Sequence, residues 1–201
     1  PSDNATGATA ATSSRQSFRE KAVSRRRCSA SWSPSSKGTC ASTPGKQEAY
    51  RHAVRLFRKA AAYFDPPLQI VDVPFGNRKV TGYLQIPKNA SRPPVVMHWG
   101  GVDVWKEDRQ AINATLHGVG LATFTVDMPG AGESPVRYVD PDAERSLTVA
   151  IDHLDQRGDI DGSRIGVWGG SFGGYWAARL AYTEAQRLKA VYGDRFLDFL
   201  V

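Results

Sequence analysis

Residues 164–181 run Arg164-Ile165-Gly166-Val167-Trp168, then Gly169-Gly170-Ser171-Phe172-Gly173-Gly174, then Tyr175-Trp176-Ala177-Ala178-Arg179-Leu180-Ala181. The first block has the apolar character of a buried strand, the second is a tight turn, and the third is a helix of small and apolar residues. A serine in G-x-S-x-G between such a strand and helix sits on a sharp turn that lifts its hydroxyl above the sheet edge. The helix N-terminus and the next backbone amide then favour a negative charge developing beside it. Ser171 is the candidate nucleophile and the Phe172 amide one candidate oxyanion donor. The flanking glycines have a steric reason, because side chains at 169 and 173 would collide across the turn.

Upstream, Pro93-Pro94 introduces the apolar run Val95-Val96-Met97-His98-Trp99, which suits a strand buried on both faces. It ends in Gly100-Gly101-Val102-Asp103. The loop in this place supplies the second oxyanion donor of acyl-transfer sites built on such an elbow. The Val102 amide is the first choice and Gly101 the second. His98 reads as a core histidine near the strand end rather than a base. Asp103 reads as the cap of a helix from Trp105 to Val119, with Ile112 and Leu116 inward and Glu107 and Asp108 in its first turn.

Working outward, Lys46 onward places Tyr50, Ala53, Val54, Phe57, Ala61 and Phe64 at helical spacing, and Asp65-Pro66-Pro67 ends that helix. His52 lies on its polar side. Leu68 to Phe75 and Val80 to Ile86 are strand-like runs joined by Gly76-Asn77, a hairpin signal. Leu121 to Val126 is another buried strand, opening into the glycine-rich Asp127-Met128-Pro129-Gly130-Ala131-Gly132-Glu133-Ser134. Asp140-Pro141 reads as N-cap and first turn of a helix whose buried stripe is Ala143, Leu147, Ala150, Ile151 and Leu154. Leu188 to Tyr192 reads as one more strand. Strands alternating with helices over short connections predict an α/β fold, a mostly parallel sheet with helices on both faces. The loops at 100–103, 127–134 and 169–173 then share the carboxyl edge, where such folds place their sites.

Composition narrows the classes. The 201 residues carry a net charge of +6, but residues 1–45 hold seven Lys and Arg against Asp3 and Glu20, so five of those six charges lie there. The remainder is electrically ordinary, and the basic balance does not point to nucleic acid. Residues 1–45 are rich in Ser, Thr, Ala and Arg, with Phe18, Val23 and Trp32 as their large apolar groups, and are expected to be a disordered leader preceding a folded domain over 46–201. An organelle transit peptide is the weaker reading of this leader and a cytoplasmic location the expected one. Cys28 and Cys40 have no spacing partner that would make a metal site or disulfide framework. No apolar run is long enough for a membrane helix.

These motifs together resemble the alpha/beta-hydrolase superfamily: His98-Trp99-Gly100-Gly101 after the third strand, Asp127-x-Pro129-Gly130-x-Gly132-x-Ser134 after the fourth, and Gly169-Gly170-Ser171-Phe172-Gly173 after the fifth. More narrowly, Tyr63-Phe64-Asp65-Pro66-Pro67, Gly82-Tyr83-Leu84-Gln85-Ile86-Pro87, Gly100-Gly101-Val102-Asp103-Val104-Trp105-Lys106-Glu107 and Val126-Asp127-Met128-Pro129-Gly130 look like the FrsA-like branch. The resemblance covers roughly Tyr50 to Val191. It implies serine-dependent hydrolysis of an ester, or of a carbon–carbon bond beside a ketone, in a small-molecule carbonyl substrate, with no metal and no organic cofactor. It carries no nucleic-acid or membrane partner, and a homodimer is one assembly open to the full-length protein. In the superfamily the acid and histidine follow the nucleophile. Here His52, His98, His117 and His153 all precede Ser171, and Asp194 is the residue that follows the last strand. Two readings result: an incomplete alpha/beta-hydrolase fold holding the nucleophile half of a serine hydrolase, or a non-catalytic remnant that keeps the pocket as a binding module.

Overall fold

The computed structural model describes residues 44–137 and 140–194. The expected disorder of residues 1–45 lies outside these, except that Gly45 and its neighbour Pro44 already belong to the first helix, α1 (Pro44–Ala60). A 3-10 turn at Ala61–Tyr63 follows, and Phe64 swings the chain into extended backbone before the first strands.

β1 (Leu68–Phe75) and β2 (Arg78–Gln85) form the expected hairpin, with Phe75 opposite Arg78 across Gly76-Asn77. β3 (Pro94–Trp99), β4 (Ala122–Val126), β5 (Asp161–Gly170) and β6 (Leu188–Asp194) complete a sheet of order β1-β2-β4-β3-β5-β6. The hairpin joins β4 antiparallel, while β4, β3, β5 and β6 run parallel. Each parallel step needs a crossover, supplied by α2 (Gln110–Gly118), α3 (Arg145–Asp155) and α4 (Gly173–Thr183).

The two faces of the sheet differ in chemistry. Val95, Met97 and Trp99 of β3, Ala122, Phe124 and Val126 of β4, and Ile165 and Val167 of β5 point into one apolar core. There they meet Leu147, Ala150, Ile151 and Leu154 of α3 and Trp176, Ala177 and Leu180 of α4, all buried. Each large aliphatic group so removed from water contributes about 1.5–3 kcal/mol. Residues of the opposite parity, His98, Thr123 and Thr125, face α2 and are buried with polar partners. β3 is therefore covered on both faces as expected, but only one of them is oily.

Three local expectations are corrected. The crossover after β3 is not one helix from Trp105 to Val119: a 3-10 turn at Lys106–Arg109 leads into α2. Asp103 does not cap it; the turn is closed by Asp108, whose Oδ2 accepts the Trp105 amide at 3.1 Å. Nor does Asp140-Pro141 start a helix. The Asp140 carboxylate is taken by the Arg137 amide at 2.9 Å. Residues 140–146 then pass through i to i+3 turns, so that α3 begins at Arg145. Its predicted stripe, from Ala143 to Leu154, is nevertheless buried throughout.

Candidate active site

Ser171 stands between the last residue of β5 and the start of α4, with φ 54°. A non-glycine residue in that region costs of order 1–3 kcal/mol and persists only where its surroundings over-determine it. Those surroundings are visible. A Cβ on Gly169 would lie 2.1 Å from the Gly173 carbonyl oxygen, so the turn closes only around a glycine. The same carbonyl accepts the buried Trp99 indole N–H at 2.8 Å, which pins the first turn of α4 to the end of β3. The Gly174 amide donates to Ser171 O at 2.8 Å and opens the helix.

The loop after β3 reaches the same point. Trp99 lies opposite Gly169 in the β3–β5 ladder, so the two chains leave the sheet side by side. A Cβ on Gly101 would come 2.9 Å from Ser171 Cβ and 3.2 Å from its Oγ. Two sequence candidates, Gly101 and Ser171, are thus in contact. Phe172 is the N-cap of α4. Val102 sits in the turn closed by Val104 N to Gly101 O at 3.3 Å, with its side chain 67% exposed. Among the described residues, none of the Gly101, Val102 and Phe172 amides donates to a backbone carbonyl.

The four histidines lie elsewhere. His98 is fully buried. Its Nδ1 accepts Arg109 Nε at 3.3 Å, so the proton is on Nε2, which donates to Asn113 Oδ1 at 2.6 Å. Asn113 donates to Gln85 Oε1 at 2.9 Å, and Gln85 to Pro66 O at 2.9 Å. Burial, then the Arg109 charge, lowers its pKa to about 3, so the ring stays neutral. His117 meets Thr123 at 3.0 Å, His153 meets Arg157 at 3.4 Å and His52 meets Arg55 at 3.2 Å on exposed α1. Among the described residues, no imidazole hydrogen-bonds to Ser171. The Asp194 backbone pairs with Gly170 at the end of β6.

Sequence reasoning missed a buried ionic cluster behind the loop. Lys106, in the turn before α2, is 0% exposed. Its Nζ lies 2.7 Å from Asp127 Oδ2, 2.7 Å from Glu133 Oε2 and 3.1 Å from Glu107 Oε1. Burial pulls the ammonium's pKa down, but Asp127 and Glu107 outweigh this and raise it. Burial, then the Asp127 charge, raises the Tyr50 hydroxyl. Of these carboxylates only Glu107 is a sequence neighbour; Asp127 and Glu133 reach Lys106 from the loop after β4. Among the described residues, no group of His, Cys, Asp and Glu is arranged to hold a metal ion. No described helix is long and apolar enough to cross a membrane.

A mostly parallel six-stranded sheet with crossover helices and a strand-turn-helix elbow at Ser171 is the alpha/beta-hydrolase fold. The family model described as Esterase FrsA-like matches residues 45–195, and the chain belongs to that family. It is 32% identical over 147 residues to Esterase FrsA of Klebsiella pneumoniae subsp. pneumoniae, covering 72% of this chain and 36% of that one. It is 28% identical over 154 residues to 2,6-dihydropseudooxynicotine hydrolase of Paenarthrobacter nicotinovorans, covering 76% and 42%. The crystal structure of the 2,6-dihydroxy-pseudo-oxynicotine hydrolase superposes with TM-score 0.68 at 28% identity, over 74% of this chain and 43% of that one. The matched part of the chain therefore spans 36–43% of the length of these relatives.

Proposed function

We propose that this chain carries the nucleophile and oxyanion donors of a serine hydrolase acting on small carbonyl substrates, either esters or ketones cleaved at the adjacent carbon–carbon bond. One observation carries the reading: Ser171, held at φ 54° at the elbow, has Gly101 of the β3 loop packed against it. Ser171 Oγ attacks the carbonyl carbon, and the carbonyl oxygen becomes an oxyanion facing the Phe172 amide and one from Gly101 or Val102. Collapse expels an alkoxide, or the stabilised carbanion of a ketone, which takes up the proton given by the serine. Water then attacks the acyl-serine and releases the acid. The relatives' names, Esterase FrsA and 2,6-dihydropseudooxynicotine hydrolase, speak for hydrolysis, and the site's mechanics serve esters and ketones alike.

The base in this proposal is a histidine that is not one of the four in these 201 residues, since His98 is locked neutral and the others engage groups away from Ser171. Without it a serine hydroxyl is a poor nucleophile, and only the residual help of donors and binding remains. The test is p-nitrophenyl acetate turnover and fluorophosphonate labelling of this chain and of the full-length protein, each with Ser171→Ala. The expected result is turnover near background for the 201 residues and Ser171-dependent turnover for the full-length protein. Ser171-independent turnover in the full-length protein would sink the assignment.

A further inference from the structure

The Asp127 carboxylate joins two loops at the carboxyl edge of the sheet. It accepts the Lys106 amide at 3.0 Å and the Lys106 ammonium at 2.7 Å from the loop after β3, and the Glu133 amide at 2.9 Å from the loop after β4. The second loop wraps tightly: Gly132 has φ 50°, and a Cβ there would lie 2.3 Å from Asp127 Oδ2. α1 closes the cluster from outside. Tyr50 OH lies 3.4 Å from Lys106 Nζ, and the Tyr50 ring lies 4.6 Å from that of Trp105, the residue before Lys106. Arg58 pairs with Glu133 at 2.8 Å, and the Lys106 ammonium lies 5.2 Å over the Tyr83 ring.

By contrast the loop holding Gly101 and Val102 packs against the elbow but has little hydrogen bonding of its own to fix it. Its turn is closed by one hydrogen bond of 3.3 Å, and Val102 projects into solvent. Donors aimed at a developing oxyanion help only when already in place, and an unpinned loop must give up backbone entropy at each turnover. The strong anchor nearest in sequence to these amides is the downstream one, at Lys106.

We infer that Lys106 is a positioning residue, and that the cluster it forms with Asp127, Glu133 and Tyr50 holds the Gly101–Val102 amides against Ser171. α1 is on this view part of the site rather than an outer brace. The activity arm of the test rests on the hydrolase reading above; the exchange arm does not.

The experiment compares the full-length wild-type protein with Lys106→Met, Asp127→Asn and Tyr50→Phe. Amide exchange at residues 101–104 should accelerate about tenfold or more in Lys106→Met, while the β5 strand at 165–167 keeps its protection. On p-nitrophenyl acetate, kcat should fall about 10–100-fold with KM within about twofold, because a donor that acts on the transition state has drifted. Tyr50→Phe, which removes one hydroxyl, should shift both readouts the same way by a few fold. Equal acceleration in loop and strand, unchanged loop exchange, or a rise in KM at constant kcat would each overturn the inference. If Lys106→Met does not fold, Tyr50→Phe and Glu133→Gln carry the same loop-against-strand comparison. If even the wild type neither turns over nor labels, the hydrolase reading fails and the exchange arm alone decides the positioning role.

Discussion

Gly101 and Ser171 are packed so closely that a single methyl group on the glycine would stand 2.9 Å from the serine Cβ, inside any ordinary carbon–carbon contact. The backbone and Ser171 can share that space only while residue 101 has no side chain.

Gly101→Ala should therefore act on the site before it acts on the fold. The loop can retreat into solvent beside exposed Val102, so the stability loss is expected to stay near about 1 kcal/mol. Fluorophosphonate labelling of Ser171 in the full-length protein should fall about tenfold or more as the donors move away. Labelling at the wild-type rate would show that the loop amides take no part.

Gly169→Ala has no such escape, because the clash is with the Gly173 backbone at 2.1 Å inside the elbow. Urea unfolding should report a loss of about 2–4 kcal/mol. A loss below that of Gly101→Ala would mean the turn can open and the serine's φ is not enforced from this side.

Trp99→Phe keeps an aromatic ring in the core, removes the five-membered part of the indole and deletes the 2.8 Å bond from its N–H to Gly173 O. It should cost about 1–3 kcal/mol, the loss of one buried hydrogen bond together with the small cavity left by the missing part of the indole, since Gly173 O lies within α4. The near-UV circular dichroism and melting temperature would check this, and an unchanged melting temperature would count against the bond.

His98 makes stability pH-dependent in a definite direction. Its pKa falls from about 6.5 in the unfolded chain to about 3 in the fold, so the folded state binds this proton more weakly. Its contribution is complete above about pH 6.5 and is lost progressively as pH falls towards 3, at most about 5 kcal/mol in all. Nitrogen chemical shifts of the ring should show the neutral, Nε2-protonated form at pH 5. Titration of His98 above pH 5 would contradict the Arg109-to-Pro66 relay.

What could be read in the sequence was what local rules govern. The hairpin at Gly76-Asn77, the stripe from Ala143 to Leu154 and the strand, turn and helix around Ser171 each declare themselves within a dozen residues, through turn chemistry and periodicity. The Asp140 cap was misplaced because the carboxylate had a nearer donor in Arg137, a choice that two neighbouring turns make together. Lys106 was illegible for a different reason. Its partners Asp127 and Tyr50 are 21 and 56 residues away, and a lysine beside Glu107 and Asp108 has the look of any solvated helix start. The polar layer under α2 was legible at His98, read as a core histidine and fully buried, but not at Thr123 and Thr125, which sit inside a run whose mean character is apolar.

The parallel pairing of β3 with β5, Val95 against Ile165 through Trp99 against Gly169, has a consequence for how this protein can change over generations. The meeting of the two loops is an arithmetic property of the chain: the residues counted from the paired core to Gly101 and to Ser171 must both stay constant. Substitutions along these strands alter packing by degrees, but one inserted or deleted residue in 95–101 or 165–171 would turn every later side chain to the other face of the sheet and part the two loops at a stroke. Length polymorphism should therefore accumulate in outer connections such as 87–92 and 156–159, leaving these two seven-residue intervals as fixed rulers.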